Sequence, residues 1–345
     1  MKIPIIRFTA ILLMLLLCLG LSSCNNTSKR DAIKIGVSIY KGDDTFISAM
    51  MDSFMEAAAA FEENTGVRVN ISIADAGESQ ATQNEQIGRF LSLSYDVLCV
   101  NLVDRTDAGS IIDRARDAGI PVVFFNREPV QEDMLKWDKI LYIGSDARES
   151  ATLEAQIVIN RFRLDPRSVD TNGDGIIQYI MLEGERRHQD AIIRTEVSVE
   201  TLKQKGFQME KLDGGIANWN RDQAAALTET YLTSYGDRIE LIICNNDDMA
   251  LGAADAVERL GLDFYCIVGI DGTDKGLDAV HEGKILGTVV MDLPAHGNAI
   301  FDAAYAFATG ADPADTLTVQ KDQSVRIPMY IETNESSEFI SYISE

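Results

Sequence analysis

The sequence predicts an α/β protein of two Rossmann-like lobes, each built on a parallel β-sheet wrapped by helices. Short apolar runs alternate with longer amphipathic segments along most of the chain, a pattern typical of parallel strands joined by crossover helices. The alternation falls into two units of similar length. At 345 residues, the chain also exceeds the usual size of one hydrophobic core, so two domains are expected.

The elements of the first unit follow from apolar periodicity and from the polar residues at their boundaries. Strands are predicted over 33–40, 67–74, 96–100 and 121–125, and helices over 46–63, 80–93 and 106–118. The segment 139–147 is predicted to be the first crossing between the lobes.

The second unit repeats the same alternation of helices and strands. Helices are predicted over 148–162, 190–205, 221–235 and 249–260, and strands over 176–182, 207–212, 240–244 and 265–269. A last strand is predicted over 325–331, followed by a polar tail.

Residues 1–24 have the composition of an export signal. An apolar run from Phe8 to Leu21 follows a positively charged start and is short for a membrane-spanning helix. The tetrad Leu-Ser-Ser-Cys that ends at Cys24 resembles the bacterial lipobox and predicts lipidation of Cys24; the alternative is an ordinary signal peptide cut nearby. We therefore expect an exported protein held by acyl chains on the outer face of the cytoplasmic membrane, with 25–32 as a tether.

The chain is strongly acidic, with 31 basic and 54 acidic residues and a net charge of −23. Loss of the two basic residues of the leader leaves 29 basic residues against 54 acidic ones, a net charge of −25. This charge argues against nucleic acid as a partner and against a basic membrane-binding patch. Cys99, Cys244 and Cys266 are odd in number and lie in apolar runs, so we expect buried free thiols.

One loop has the residue pattern of a calcium site. Oxygen-bearing side chains occupy the spacing of the first nine positions of an EF-hand loop at Asp170, Asn172, Asp174 and Gln178. Gly175 provides the tight turn. The twelfth position, where an EF-hand has Glu, is Met181, so a carboxylate must come from elsewhere in the chain. We predict a structural Ca²⁺ here; the alternative is an Asx-rich turn that binds no metal.

The residues that follow the strands are the candidates for a binding site, because ligands of open α/β sheets bind beyond the carboxyl ends of the strands. They are Tyr40, Lys41, Asp43, Asp44, Phe46, Asn126, Arg127, Glu183, Glu185, His188, Asp190, Arg194, Asn245, Asn246, Asp247, Asp248 and Asp271, with Trp219 in a loop before a helix. Planar polar groups suit the neighbouring hydroxyls of a sugar ring, and aromatic rings cover its C–H faces. The alternatives are helix capping for the Asp and Asn residues and core packing for Trp219.

Enzyme motifs are missing from the sequence. The turn after the first strand, Tyr-Lys-Gly-Asp-Asp-Thr-Phe, is not a phosphate-binding loop, and the sequence has no GxSxG or HExxH. We therefore expect a binding protein and not an enzyme. A weaker alternative is a carbohydrate-active enzyme that uses Asp44 and Asp190 as acid and base.

The chain resembles the periplasmic D-galactose/D-glucose-binding proteins, the type I periplasmic binding proteins that serve ABC importers as sugar receptors. The resemblance runs from about Ile33 to Ile331. It is carried by Ile-Gly-Val-Ser-Ile-Tyr-Lys-Gly-Asp-Asp-Thr-Phe (35–46), Pro-Val-Val-Phe-Phe-Asn-Arg-Glu-Pro (121–129), Tyr-Ile-Gly-Ser-Asp (142–146), the loop 170–178, Gly-Glu-Arg-Arg-His-Gln-Asp-Ala (184–191) and Cys-Asn-Asn-Asp-Asp-Met-Ala-Leu-Gly (244–252).

The resemblance implies a clamshell of two lobes joined by a three-crossing hinge that closes on a sugar. The first lobe would comprise 33–142 and about 293–324, and the second 143–292 and about 325–345, with the calcium loop in the second. ABC permease transmembrane subunits would be the partners of a monomeric receptor. The alternative is a sugar sensor that presents its closed form to a chemoreceptor or histidine kinase.

The resemblance also implies the site residues. The sugar would be bound by Tyr40, Asp44, Phe46, Asn126, His188, Asp190, Arg194, Trp219, Asn246 and Asp271. Asp44 would take the 4-hydroxyl, and the rings of Phe46 and Trp219 would cover opposite faces of the sugar. The calcium would be held by Asp170, Asn172, Asp174, the carbonyl of Ile176, Gln178 and the remote Glu240.

One position departs from the family pattern. Met291 stands where the family has Asn, after the Gly-Thr-Val-Val run that begins at Gly287. Either Asp292 compensates by a register change, or one sugar hydroxyl loses a contact at a cost of roughly 1–3 kcal/mol. The choice of hexose therefore depends on what surrounds Met291.

Overall fold

The computed structural model describes residues 32–264 and 266–334, which form two α/β lobes with a six-stranded sheet in each. The predicted export signal, the lipidation site Cys24, nearly all of the tether and the polar tail lie outside the described residues. None of the helices in the described part of the chain is long and apolar enough to cross a membrane.

The first lobe is built on a sheet of six parallel strands. They are β1 (Ile33–Ile39), β2 (Val69–Asp75), β3 (Val97–Val100), β4 (Val122–Phe125), β5 (Ile140–Gly144) and β11 (Ser324–Arg326), in the spatial order β11-β5-β4-β3-β1-β2. Its helices are α1 (Thr45–Thr65), α2 (Gln80–Ser92), α3 (Ala108–Ala118), the short α4 (Gln131–Met134) and α10 (Leu293–Thr309). Every residue of β3 and β4 is buried, because helices cover both faces of the sheet.

The second lobe repeats this arrangement with one antiparallel strand. Its strands are β6 (Ile176–Glu183), β7 (Gln208–Ile216), β8 (Leu241–Cys244), β9 (Ile267–Asp271), β10 (Gly287–Met291) and β12 (Met329–Thr333), in the order β12-β10-β9-β8-β6-β7. Its helices are α5 (Ala147–Leu164), α6 (Gln189–Gln204), α7 (Arg221–Tyr235), α8 (Asp247–Arg259) and α9 (Asp274–His281). The prediction of two α/β lobes is confirmed, but β12 runs antiparallel to β10.

Three connections cross between the lobes, after β5, after β10 and between β11 and β12. They are held together by hydrogen bonds. Ser145 Oγ donates to the carbonyl of Ile327 at 2.9 Å and lies 3.2 Å from His296 Nε2. The other ring nitrogen of His296 lies 2.8 Å from the carbonyl of Asp292. The buried imidazole of His296 thus links two crossings, and the hydroxyl of Ser145 links these to the third.

The predicted strand 325–331 is wrong, since this stretch forms two strands in different lobes. β11 pairs with β5, and the N–H of Ile327 continues the ladder to the carbonyl of Gly144 at 3.0 Å. Pro328 has no N–H to extend it, and the chain leaves for the other lobe. The predicted crossing 139–147 is likewise mostly strand, so the lobe boundaries move from 142 and 324 to about Gly144 and Ile327.

The three cysteines of the described chain, Cys99, Cys244 and Cys266, are buried and free, as predicted. Burial raises the pKa of all three, that of Cys266 to about 12, so they stay protonated thiols.

Candidate functional site

A single cleft between the lobes brings together all the side chains predicted for the sugar site. Its lining consists of Tyr40, Asp44, Phe46, Asn126, His188, Asp190, Arg194, Trp219, Asn246 and Asp271, together with Ile47 and Arg127. The cleft has a cavity volume of about 40 Å³. It lies at the carboxyl ends of the strands, as the strand-end rule predicts.

Three of these polar residues begin helices as well as facing the cleft. Asp44, His188 and Asn246 each accept an N–H from the first turn of α1, α6 and α8, at 2.9, 3.1 and 3.0 Å. Capping and ligand binding are therefore not alternatives here. A parallel strand ends where the next helix begins, so the residue that caps the helix also reaches the cleft.

The backbone is strained at three of the lining residues. Asn126 has φ of 60°, Trp219 of 61° and Asp271 of 137°, conformations that residues other than glycine seldom adopt. Asn126 directly follows β4, Trp219 lies just after β7, and Asp271 is the last residue of β9. Strain of this kind persists where the surrounding structure holds a side chain in one position, and here it aims an amide, an indole and a carboxylate into one cleft.

The indole of Trp219 rests on a glycine. A Cβ built on Gly184 would lie 2.2 Å from two ring atoms of Trp219, so only glycine allows the ring this position. The ring also meets His188 edge-on, with centroids 5.1 Å apart. Trp219 is half-buried, and its side chain lines the cleft.

The first lobe contributes an ordered group of hydrogen-bonding side chains around Tyr40. The hydroxyl of Tyr40 donates to Asp44, and the guanidinium of Arg127 lies 3.7 Å above the Tyr40 ring. Burial and the Asp44 carboxylate hold the pKa of Tyr40 well above its ordinary value, so the phenol stays a donor. Arg127 then reaches across to the second lobe, where Nη2 donates to both carboxylate oxygens of Glu185 at 3.0 Å.

The second lobe places a buried arginine behind the cleft. Arg194 donates to the carbonyl of Asn245 at 2.8 Å, lies 3.8 Å from Asp271 and reaches the sulfur of Met291 at 3.5 Å. Its Nε has no hydrogen-bond partner among the described residues. Burial raises the pKa of Asp190 and of Asp271, while the charge of Arg194 opposes that shift. The guanidinium therefore keeps donor capacity that a ligand can use.

The structure decides between the two hypotheses for Met291. Asp292 begins α10, and its carboxylate accepts the N–H of Ala295 at 2.9 Å, so the register change that would bring Asp292 into the cleft does not occur. Met291 ends β10 and is 5% exposed, with its thioether against Arg194. A soft thioether stands where an amide would offer a donor and an acceptor.

The predicted calcium residues also lie together, at the start of β6. Glu240, which is fully buried, accepts the hydroxyl of Thr171 and the N–H of Asn172, both at 3.0 Å, and the N–H of Gln178 at 3.1 Å. Asp170 accepts N–H groups of Gly173 and Gly175 within the loop. The remote carboxylate is thus at the loop, 62 residues beyond Gln178.

These residues fit a hard cation in the kind of atoms they offer. Glu240 is a buried carboxylate with no Lys, Arg or His within 4 Å among the described residues, and an ion would supply the missing charge. No group of three or more His, Cys, Asp or Glu side chains is close enough to hold a metal in the described chain, so amide and carbonyl oxygens would complete the set. Asn172 donates to Gln178 at 2.9 Å, and this pair would have to turn.

Arg127 is the lining residue whose importance was not predicted. It follows β4 directly beside Asn126, so the strand-end rule includes it, but nothing in its sequence neighbourhood indicates a partner in the other lobe. That partner, Glu185, lies 58 residues away.

Comparison with known proteins agrees with this architecture. A periplasmic binding protein domain matches residues 35–312. The chain is 34% identical to a D-galactose/methyl-galactoside binding periplasmic protein of Haemophilus influenzae, over 93% of this chain and 95% of the relative. It is 32% identical to a putative rhizopine-binding protein of Rhizobium meliloti, over 80% and 84%.

A solved structure is similar as well. An ABC transporter solute-binding protein of Bacillus halodurans with bound myo-inositol has 29% identity and a TM-score of 0.72, covering 91% of this chain and 98% of that one. The domain match, the long alignments and the two-lobed fold show that this chain belongs to the periplasmic binding protein family.

Proposed function

We propose that the protein captures one monosaccharide, a galactose- or glucose-like hexose, between its lobes and delivers it to an ABC permease. The observation that carries the proposal is the lining of the cleft: acids, amides, two arginines and the aromatic side chains of Phe46 and Trp219, drawn from both lobes. Such groups satisfy the hydroxyls of a sugar ring and cover its C–H faces. The ligands named for two relatives, galactose and myo-inositol, are polyhydroxylated six-membered rings.

The cleft chemistry supports binding without turnover. No Ser, Thr, Cys or Lys side chain is among the residues that line it in the described chain. Asp44 would have to act as acid or base in a glycosidase, but its carboxylate already accepts hydrogen bonds from the hydroxyl of Tyr40 and from the first turn of α1. Incubation with labelled glycosides should therefore leave them intact.

Closure follows from the arrangement of the hinge. The three crossings lie together at Ser145 and His296, and the ligand is enclosed by residues on both sides of them. Binding to both lobes favours the closed form, because only that form makes both sets of contacts.

Calorimetry against galactose, glucose, xylose, ribose and myo-inositol tests the proposal. We expect one hexose to bind at a single site, and small-angle scattering with that sugar to show a smaller radius of gyration than without it. Failure of every monosaccharide and inositol to bind at millimolar concentration would overturn the proposed function.

We propose that a structural calcium ion holds the loop from Asp170 to Gln178, supported by the buried Glu240 carboxylate beside it. The ion would fix the loop and neutralise that carboxylate, with no part in sugar chemistry. A chelator should lower the melting temperature, and added Ca²⁺ should restore it. Equal melting curves with and without chelator would contradict the calcium site.

We propose that the protein is exported and lipidated at Cys24, supported by the lipobox-like tetrad that ends there. The wild type should fractionate with membranes and carry acyl chains by mass spectrometry. A Cys24→Ser variant should appear in the soluble fraction; wild-type protein without acyl chains would contradict this proposal.

A further inference from the structure

A second cavity adjoins the cleft. This side chamber has a volume of about 320 Å³, against about 40 Å³ for the cleft. Four residues line both spaces: Tyr40, Arg127, His188 and Asp190. The two spaces therefore meet at these side chains, and a ligand substituent passing from one to the other must pass between them.

Arg127, which lines both spaces, is held by three groups. Its guanidinium is stacked 3.7 Å above the Tyr40 ring, donates to the carbonyl of Val103 at 3.0 Å and binds both oxygens of Glu185 at 3.0 Å. Only 9% of the residue is exposed. The guanidinium of Arg127 thus contacts an aromatic face, a backbone carbonyl and a carboxylate of the opposite lobe. Three such contacts fix the position of this planar cation better than a single ion pair would.

The side chamber itself is suited to a neutral, hydroxylated group. Its remaining lining combines acids, amides and arginines: Glu78, Gln80, Val103, Asp104, Arg105, Glu128, Glu185, Arg187 and Gln189. Arg105 donates to the backbone carbonyls of Glu128 and Pro129. Arg187 makes no ion pair within 4 Å among the described residues. Donors and acceptors of both kinds are present, as a second sugar ring would require.

We propose that Arg127 is the size filter of this receptor: held by Tyr40 and Glu185, it separates the cleft from the side chamber and limits the ligand to one saccharide unit. The inference rests on the proposed function and deepens it, since it concerns which sugars the same cleft accepts. Without the guanidinium, the cleft and the side chamber join, and a disaccharide can place its second ring in the side chamber. Arg127 is at the same time a link between the lobes, so its removal also weakens binding of the single sugar.

The test measures two ligands on four proteins by calorimetry. The ligands are the monosaccharide that the wild type binds most tightly and disaccharides that carry this sugar at the non-reducing end. The wild type should prefer the monosaccharide by at least about 100-fold, close to 2.7 kcal/mol. Arg127→Ala should bind the monosaccharide about tenfold more weakly and a disaccharide at least tenfold more tightly than the wild type does.

Two further variants distinguish a role of Arg127 in ligand size selection from the effects of losing a positive charge or of unfolding. Arg127→Lys keeps a cation at the opening and should still reject disaccharides. Arg148→Ala, which removes the same charge from an exposed position of α5 outside both spaces, should leave both affinities unchanged. Melting curves establish that each variant is folded, and if Arg127→Ala does not fold, Glu185→Gln should admit disaccharides to a smaller degree.

The outcomes distinguish this inference from the proposed function. If no monosaccharide binds the wild type, the proposed function fails. If the monosaccharide binds but the wild type accepts the disaccharide equally well, or a folded Arg127→Ala still rejects it, the size filter is wrong and the receptor function stands.

Discussion

The substitution Gly184→Ala tests how the cleft holds its aromatic wall. Gly184 follows β6, is buried, and donates its N–H to Asn245 at 3.0 Å, so its backbone position is well determined. A Cβ there would lie 2.2 Å from two atoms of the Trp219 indole. Carbon atoms in contact are about 3.5–4.0 Å apart, so the ring must move by at least about 1.3 Å.

The displaced ring should weaken sugar binding while the fold survives. Trp219 sits at φ of 61° and already packs against His188, which leaves the indole only the direction into the cleft or out to solvent. Loss of the stacking face should cost about 1–2 kcal/mol of binding free energy, or roughly 5- to 30-fold in Kd. The melting temperature should fall modestly, because overpacking is relieved at a half-buried ring.

Calorimetry with the preferred monosaccharide measures the effect, and Trp219→Ala gives the upper limit. Gly88→Ala is the matched control: its Cβ would meet only the flexible end of Arg114, at 2.6 Å, in a helix of the first lobe away from the cleft. The control should bind as the wild type does. Wild-type affinity in a folded Gly184→Ala protein would refute the stacking of Trp219 on the ligand.

Three further predictions concern charge and metal. Asp271→Asn removes the carboxylate 3.8 Å from Arg194 and should weaken the binding free energy measured by calorimetry by about 1.5–3 kcal/mol; an unchanged Kd in the folded variant would exclude Asp271 from the site. Burial holds the pKa of His188 well below its usual value, so the unfolded chain gains the proton first and stability should fall as pH drops below about 6.5. His188→Asn keeps a capping acceptor but has no proton to gain. Urea unfolding without ligand at pH 7 and pH 5 should show that the free energy of unfolding of this variant falls less steeply than that of the wild type, by up to about 1.4 kcal/mol per pH unit. Equal slopes in the two proteins would contradict this prediction. Glu240→Gln should abolish the effect of chelator on the melting temperature, and an undiminished chelator effect would mean that the ion binds elsewhere.

Local rules account for most of the cleft because of how parallel sheets are built. All carboxyl ends of parallel strands lie at one edge of their sheet, so Tyr40 and Asn126 converge in the first lobe and Asn246 and Asp271 in the second. The same geometry explains why Asp44 and Asn246 both cap helices and line the cleft. A polar residue after each apolar run therefore predicts both a residue of the cleft and the start of the helix that follows.

The loop from Asp170 to Gln178 is a second and different case. The alternation from Asp170 to Gln178 lies in nine consecutive residues, so its geometry is local. That Glu240 reaches the loop depends on β6 and β8 being neighbours in the sheet, with Glu240 directly before β8. The spacing of the loop residues does not predict which remote carboxylate reaches the loop; the family resemblance implied Glu240.

The amino-acid sequence by itself determined the two lobes, the strand-end residues of the cleft and the oxygen-rich loop, since each follows from short-range pattern and the direction of parallel strands. Only the tertiary structure decided that 325–331 divides between two sheets, that Asp292 caps a helix while Met291 stays beside Arg194, and that Arg127 meets Glu185 across the cleft. The two strand pairings, the contact of Met291 with Arg194 and the pair of Arg127 with Glu185 depend on segments far apart in the chain. Such contacts leave no periodic trace, because a single side chain in each lobe is enough to make them.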